Sequence, residues 1–283
     1  MDCCVNVVPV PDTSPSRPAL AVARLGAVEG WRVEVVEAAP STNAAVAARA
    51  RAGEPAGLVV VTEHQTAGRG RLDRVWVTPA RAALTFSLLV RPDEVPVARW
   101  PWLPLLTGVA VVDAVRRVTG VETGLKWPND VLAPDGRKLA GILVERVETA
   151  QGPGGAAAVV GVGLNVTSTP EDLPVATATS LSLCGAGDLD RTSLLLAILT
   201  SFSSLYGAWS AAHGDGVRAS YRERCTTLGR EVRVELPDGE PLRGRAVDVD
   251  ADGRLLVETA GRVRALGAGD VVHVRPAGGP APG

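Results

Sequence analysis

The chain has 283 residues, of which 46% are hydrophobic and 21% are charged. This balance is typical of a globular protein with one large domain, or with one large and one small domain. The formal net charge of -2 disfavours broad binding to nucleic acid or to anionic membranes. Apolar stretches are interrupted well short of about 20 residues, and no apolar segment follows a basic N-terminus. We therefore predict neither a membrane span nor a signal peptide.

The patterns along the chain predict a main domain over residues 29–226. Residues 1–28 are rich in proline and predict a disordered or weakly helical tail. Alternating or aliphatic runs predict strands, and alanine-rich or amphipathic runs predict helices. In chain order these are a strand at 31–36, a helix at 44–52, strands at 58–62 and 83–90, a helix at 103–118, strands at 138–145 and 157–166, and a helix at 192–212.

The character of the chain changes after Leu228. Short alternating segments, with turns at 237–239 and 250–253, predict five strands. We interpret 227–276 as a small SH3-like β-barrel and 277–283 as a disordered tail. The four cysteines lack the spacing of a zinc site, so we expect free thiols in a reducing cytoplasm. They are Cys3, Cys4, Cys184 and Cys225.

An arginine- and glycine-rich loop at 68–76 is the most informative segment. Arg69, Arg71 and Arg74 present planar groups of donors that suit carboxylates and phosphates. The glycines permit close approach to an anion, and Trp76 can stack on a flat group. An exposed basic hairpin is the alternative interpretation. Glycines on both sides and an apolar strand before the loop favour a ligand clamp.

Two further segments carry candidate ligand groups. In Lys126–Asp130 an Asn-Asp pair follows a Trp-Pro corner, and such a carboxylate can hold Mg²⁺ on nucleotide phosphates. Ordinary turn chemistry explains this pair equally well when it is taken alone, but Lys126 and Lys138 nearby can neutralise two anions brought together. Ser41 is a candidate helix N-cap, and such a helix terminus also binds anions. Neither a P-loop nor a Rossmann motif is present.

Five motifs, taken together and in order, resemble the biotin protein ligase family. The resemblance covers about residues 33–166, and the small C-terminal domain agrees with it. It implies an α+β fold, with a mixed sheet and helices like the catalytic domains of class II aminoacyl-tRNA synthetases. The motifs are Ser-Thr-Asn at 41–43, Glu-His-Gln-Thr-Ala-Gly-Arg-Gly-Arg at 63–71 with Arg74 and Trp76, Lys-Trp-Pro-Asn-Asp at 126–130, Lys-Leu-Ala-Gly-Ile-Leu-Val-Glu at 138–145 and Gly-Val-Gly-Leu-Asn-Val at 161–166.

The resemblance also implies a reaction. The family activates biotin with ATP and Mg²⁺ as biotinyl-5'-adenylate, then transfers it to a lysine of a biotin carboxyl carrier domain of a carboxylase. It implies that Lys138, Arg71 and Lys126 are catalytic and that Asp130 holds Mg²⁺. The implied biotin-binding residues are Ser41, Thr42, Asn43, Gln65, Gly68, Arg69, Gly70, Arg71, Lys138 and Gly141. The implied ATP-binding residues are Arg71, Arg74, Trp76, Lys126, Asn129, Asp130 and Asn165.

Several expectations qualify this picture. The short proline-rich segment before the first strand leaves no room for a winged helix, so we expect no DNA binding. We expect a monomer or a weak homodimer in the cytoplasm. The alternatives are a lipoate-protein ligase with parallel chemistry and a non-catalytic module that binds phosphate or RNA.

Overall fold

The structure is a computed structural model that describes residues 17–71, 74–149, 155–212, 215–236, 240–267 and 269–273. Residues 1–16 and the predicted tail 277–283 lie outside this part of the chain, as do Cys3 and Cys4. Of the predicted N-terminal tail 1–28, residues 17–28 are described, and they include a 3-10 helix at Val22–Ala27.

A seven-stranded mixed sheet forms the main domain, with the strand order β1-β2-β5-β9-β8-β7-β6. β1 and β2 are parallel, and each other neighbouring pair is antiparallel. The arginine-rich loop itself forms a separate two-stranded hairpin, β3-β4. The strands are β1 (Arg32–Ala39), β2 (Leu58–Gln65), β3 (Gly68–Arg69), β4 (Val75–Trp76), β5 (Ala83–Val90), β6 (Gly124–Lys126), β7 (Asp130–Leu132), β8 (Lys138–Glu148) and β9 (Ala156–Asn165).

Helices cover both faces of this sheet. α1 (Thr42–Arg51) packs on one face against β2, β5, β8 and β9, and its Val46 and Ala50 are buried there. α2 (Trp102–Thr119), α3 (Arg191–Ala212) and α4 (Asp215–Arg224) contribute to the large core on the other face. α4 was not predicted from the sequence because most of its residues are polar, although its Val217 and Tyr221 are buried one turn apart.

Local sequence accounts for the helix ends. The Ser41 hydroxyl accepts a hydrogen bond from the Ala44 amide at 3.3 Å, which confirms the predicted cap of α1. α2 begins after Pro101 and ends at Gly120, whose φ of 73° is a left-handed conformation that glycine adopts without strain.

α3 joins the sheet to the other helices. By length and composition alone, Arg191–Ala211 could cross a membrane. A core helix meets the same criterion, and Ile198, Phe202 and Trp209 of α3 are buried in the core. The absence of a membrane span stays a prediction.

A buried ion pair fixes the start of α3 against β2. Arg191 Nη2 lies 2.6 Å from Glu63 Oε2, and the two side chains are 5% and 3% exposed. The Leu20 amide donates to Glu63 Oε1 at 2.6 Å. Arg191 also donates to the carbonyls of Pro18 and Ala83. Every charge of the pair is therefore compensated, as burial requires.

The C-terminal domain is a five-stranded antiparallel sheet, as the sequence predicts, with the order β13-β12-β11-β10-β14. β13 and β14 are its two edges and do not pair in the described part of the chain, so the sheet is not closed into a barrel. The predicted boundary near residue 227 falls between α4 and β10 and stays a prediction. The strands are β10 (Glu231–Glu235), β11 (Leu242–Val249), β12 (Leu255–Thr259), β13 (Arg262–Leu266) and β14 (Asp270–His273).

Candidate functional site

One cleft of about 900 Å³ gathers the predicted site residues. It opens beside the N-terminus of α1 and is walled by the β3-β4 hairpin, by β8 and β9, and by the end of the C-terminal sheet. Every predicted site residue except Gly68 lines it, namely Ser41, Thr42, Asn43, Gln65, Arg69, Gly70, Arg71, Arg74, Trp76, Lys126, Asn129, Asp130, Lys138, Gly141 and Asn165.

A polar pocket occupies the end of the cleft at α1. The Thr42 amide donates to Gln65 Oε1 at 2.9 Å. Asn43 Nδ2 donates to Glu145 Oε2 at 2.6 Å, and Ser87 Oγ lies 2.5 Å from Asn43 Oδ1. Ser87 was not noted in the sequence, and Glu145 was noted only as the end of the 138–145 motif, because their contacts join β5 and β8 to α1, which lies far away in the sequence. The polar side chains are thereby held in one orientation before a ligand arrives.

Gly68 lies behind this pocket and supports it. A Cβ on Gly68 would lie 2.2 Å from Gln65 Nε2 and 2.4 Å from the Trp76 carbonyl oxygen. The backbone passes so close to both groups that only glycine fits. Gly68 thus positions Gln65 instead of lining the cleft.

The arginine-rich loop is a hairpin in which Gly68 pairs with Trp76. The Gly70 amide donates to the Arg74 carbonyl at 2.6 Å. Leu72 and Asp73, at its tip, lie outside the described residues. An exposed basic hairpin is the alternative to a ligand clamp. The segment is a hairpin and forms a wall of the cleft, so the two interpretations do not exclude each other, and the ligand clamp stays a prediction.

Arg71 and Arg74 meet the C-terminal domain. Arg71 donates to Asn129 Oδ1 at 3.2 Å and to the Gly269 carbonyl at 3.3 Å. Arg74 forms an ion pair with Asp270. Burial lowers the pKa of Arg71, whereas the hydrogen bond to Asp270 raises the pKa of Arg74. Sequence motifs gave no sign that Asp270 belongs to the cleft.

Trp76 rests on a glycine platform. Gly141 of β8 and Gly163 of β9 are paired across the sheet, and the Trp76 ring covers both. A Cβ on Gly163 would lie 2.5 Å from the ring, so the indole can approach β9 this closely only because the residue is glycine. Trp76 Nε1 is buried without a hydrogen-bond partner in the described structure, which leaves a donor for a ligand.

The β6-β7 turn carries Lys126, Asn129 and Asp130. Its Trp127-Pro128 peptide bond is cis, and Lys126 pairs with Asp130 across the turn. Asn129 Nδ2 donates to the Ile142 carbonyl at 3.0 Å, so its Oδ1 faces Arg71.

The C-terminal domain anchors this turn. The Trp127 amide donates to Thr227 Oγ1 at 3.1 Å, and Trp127 Nε1 donates to the Gly253 carbonyl at 3.0 Å. Thr227 Oγ1 lies 3.1 Å from His273 Nε2. Burial and the charges of Lys126 and Arg230 lower the pKa of His273 to about 4, so the ring is neutral at pH 7.

Lys138 and Asp130 form an ion pair inside the cleft. Lys138 Nζ lies 2.6 Å from Asp130 Oδ1, which is buried. No cluster of three or more His, Cys, Asp or Glu side chains that could hold a metal occurs among the described residues. Asn165, at the end of β9, donates from Nδ2 to the Thr179 carbonyl at 2.8 Å.

Comparison with known proteins agrees with this geometry. Residues 35–165 match the Biotin/lipoate A/B protein ligase family, and residues 227–274 match the Biotin protein ligase C terminal domain. The chain is 45% identical to the biotin--[acetyl-CoA-carboxylase] ligase of Mycobacterium tuberculosis over 89% of this chain and 92% of that protein.

The chain belongs to the biotin protein ligase family. It is 32% identical to the bifunctional ligase/repressor BirA of Escherichia coli, over 87% of this chain and 75% of that protein. The biotin protein ligase of Aquifex aeolicus, solved in complex with biotin and ATP, is 27% identical with a TM-score of 0.71, and the match covers 87% of this chain and 99% of that one. The family and the fold class predicted from the sequence are confirmed.

Proposed function

We propose that this biotin protein ligase activates biotin with ATP as biotinyl-5'-adenylate and transfers it to a lysine of a biotin carboxyl carrier domain. The observation that carries the proposal is the single cleft that joins a polar pocket, an arginine hairpin and the Lys138–Asp130 pair. Relatives named as biotin ligases, and a related structure that contains both biotin and ATP, support it.

The polar pocket is the proposed site of the biotin ureido group. A cyclic urea presents two N–H donors and one carbonyl acceptor, and the side chains of Ser41, Thr42, Asn43 and Gln65 offer both kinds of partner. A pocket of this kind rejects analogues that lack the urea, because its polar groups would lose their partners. Arg69, Gly70 and Gly141 then line the path of the bicyclic ring and the valeryl chain.

The hairpin and the C-terminal side of the cleft are the proposed site of ATP. Arg71, Arg74 and Lys126 bring three positive charges toward the phosphates. Trp76 offers a flat face and an unpartnered N–H to the adenine. Asn129 and Asn165 complete the polar wall. Phosphate would compete with Asp270 for Arg74, so binding and release of ATP involve the C-terminal domain.

In the first step, a carboxylate oxygen of biotin attacks the α-phosphorus and pyrophosphate leaves. Both reactants are negatively charged, and Lys138 stabilises the transition state by lying where they meet. In the second step, the neutral carrier amine attacks the acyl carbon of the mixed anhydride. AMP leaves and the amide nitrogen loses its proton.

Mg²⁺ fits the residues present. Asp130 Oδ1 is a buried carboxylate oxygen of a residue that lines the cleft, and Mg²⁺ is commonly held by one or two carboxylates together with substrate phosphates. Asp130 would hold the ion, which would supply charge neutralisation to the pyrophosphate leaving group.

The hairpin is also the proposed lid. A mixed anhydride is hydrolysed readily, and a loop that closes over it excludes water. We predict that residues 69–76 exchange amide hydrogens faster without biotin than with it. Equal and strong protection in the two states would contradict this prediction.

A direct assay tests the proposed function. The protein is incubated with biotin, ATP, Mg²⁺ and a carrier domain, and the carrier is then probed with streptavidin. We expect labelling that requires ATP and the carrier lysine. Lipoate in place of biotin tests the lipoate-ligase alternative, and RNA binding without ATP turnover would favour the non-catalytic module.

Three further expectations belong to the same proposal. We expect no operator DNA binding, which a mobility-shift assay with the purified chain would check. We expect a monomer or a weak homodimer by sedimentation. A cytoplasmic location agrees with Cys184 and Cys225, which are both free thiols.

A further inference from the structure

The side-chain amide of Asn43 can lie in the polar pocket in only one orientation. Its Nδ2 faces Glu145 Oε2 at 2.6 Å and the Leu143 carbonyl oxygen at 3.3 Å. A carboxylate and a carbonyl only accept hydrogen bonds, so the nitrogen must point toward them and Oδ1 must point away. Gly161 gives Oδ1 its space, since a Cβ there would lie 2.1 Å from it.

This orientation determines how the Ser87 hydroxyl is used. Ser87 Oγ lies 2.5 Å from Asn43 Oδ1 and 2.7 Å from Thr42 Oγ1. A serine hydroxyl carries one hydrogen, and Asn43 Oδ1 has none. Both contacts are hydrogen bonds only if Ser87 donates to Asn43 and Thr42 donates to Ser87. The hydroxyl chain therefore runs from Thr42 through Ser87 to Asn43.

The direction of these hydrogen bonds determines which donors and acceptors the pocket presents to a ligand. Thr42 Oγ1 also lies 3.3 Å from Gln65 Oε1, but Ser87 Oγ is the nearer acceptor at 2.7 Å. With its hydrogen used on Ser87, Thr42 Oγ1 can only accept from a ligand. Gln65 Oε1 already accepts from the Thr42 amide, so Gln65 Nε2 is the group left to donate. One acceptor and one donor side by side match the N–H and the carbonyl of a urea. If these hydrogen bonds ran in the opposite direction, Thr42 would become a donor and the match to the urea would be lost.

We propose that Glu145 is a specificity-determining positioning residue, which fixes the hydrogen-bond direction of the biotin pocket without touching biotin. Its side chain is exposed and does not line the cleft, whereas Asn43, Ser87 and Thr42 relay its effect. The inference rests on the proposed function, because it assigns the pocket to the urea of biotin.

The test reverses the chemistry at position 145. Glu145→Lys places a group that only donates against Asn43, which favours the opposite amide orientation. Glu145→Gln retains a group able to accept from Asn43 Nδ2. Glu148→Lys is the matched control, because Glu148 is an exposed carboxylate of the same strand whose partner is Arg146. Pyrophosphate exchange gives KM for biotin and for ATP, and calorimetry gives the biotin Kd.

We expect Glu145→Lys to raise both the biotin Kd and the biotin KM about tenfold, the effect of one charge-assisted hydrogen bond. The ATP KM should stay within about twofold, because a twofold change corresponds to a free energy well below that of one hydrogen bond. Glu145→Gln should recover most of the biotin affinity, and Glu148→Lys should resemble the wild type. Equal values for Glu145→Lys and Glu148→Lys, or parallel increases in both KM values, would overturn the inference.

A second perturbation keeps the test decisive if Glu145→Lys does not fold. Ser87→Ala breaks the relay at its centre, so Glu145→Ala, which removes the acceptor of Asn43 Nδ2, should lower biotin affinity in the wild type but have no further effect when it is added to Ser87→Ala. Additive losses would show that Glu145 acts by another route. Failure of the wild type to bind biotin would instead refute the proposed function itself.

Discussion

Lys138→Ala tests the charge neutralisation at the centre of the proposed mechanism. The biotin carboxylate and the α-phosphate must approach each other beside Lys138 Nζ, which lies 2.6 Å from Asp130 in this structure. Two like unit charges about 4 Å apart repel by about 4 kcal/mol at an effective dielectric constant of about 20. A barrier increase of that size corresponds to about a 1,000-fold loss of rate.

The assay for this variant is biotin-dependent exchange of pyrophosphate into ATP, which reports adenylate formation without the carrier. Arg137→Ala is the matched control, because Arg137 is the adjacent cation and pairs with Asp135 at 2.7 Å outside the proposed chemistry. We expect Arg137→Ala to retain nearly full exchange.

Stability must be measured beside the rate. The Lys138 side chain is 33% exposed, and partly exposed pairs contribute about 1 kcal/mol or less. The melting temperature should therefore fall by no more than about 4 °C. A folded Lys138→Ala protein that exchanges within tenfold of the wild type would refute the assigned role of Lys138.

Three further predictions concern stability and the nucleotide side of the cleft. Arg191→Met leaves the buried Glu63 charge without a partner and should lower the free energy of unfolding by about 3–5 kcal/mol in urea titration. Gly163→Ala places a Cβ 2.5 Å from the Trp76 ring and should raise the ATP KM about fivefold to tenfold in the exchange assay, because it displaces a stacking group worth about 1 kcal/mol. His273→Asn should reduce the loss of stability between pH 6.5 and pH 4 in urea titrations. The folded-state pKa of His273 is lowered to about 4, so the unfolded state binds more protons in that window and stability falls as the pH falls.

Each of these predictions has a control. Arg24→Met removes a cation from the exposed Arg24–Asp190 pair and should cost less than about 1 kcal/mol; an equal effect of the two arginine variants would contradict the first prediction. Gly207→Ala has no heavy atom within 4 Å of the added Cβ; the second prediction fails if it changes the ATP KM as much as Gly163→Ala. The third is wrong if wild type and His273→Asn lose stability in parallel below pH 6.5.

Much of the fold was predictable from local patterns. The helix at 103–118 and the strand at 83–90 were predicted within one residue of their observed bounds, because both are mostly apolar segments whose lengths suit a buried helix and a buried strand. α4 was missed because its sequence is strongly charged and its two buried apolar residues are too few to show a period. Closure of the C-terminal barrel was predicted from strand number, but closure depends on contacts between β13 and β14, which no local pattern encodes.

The sequence by itself determined the family and the residue types of the cleft, because the motifs at 41–43, 68–76, 126–130 and 138–145 stand in uninterrupted segments whose chemistry is legible without a structure. The tertiary structure decided which groups those residues meet. Asp270 reaches Arg74 from 196 residues away, and Glu145 reaches Asn43 from 102 residues away. Such contacts arise when elements distant in sequence are brought together around one cleft, so the direction of hydrogen bonds in the pocket and the part played by the C-terminal domain are properties of the fold.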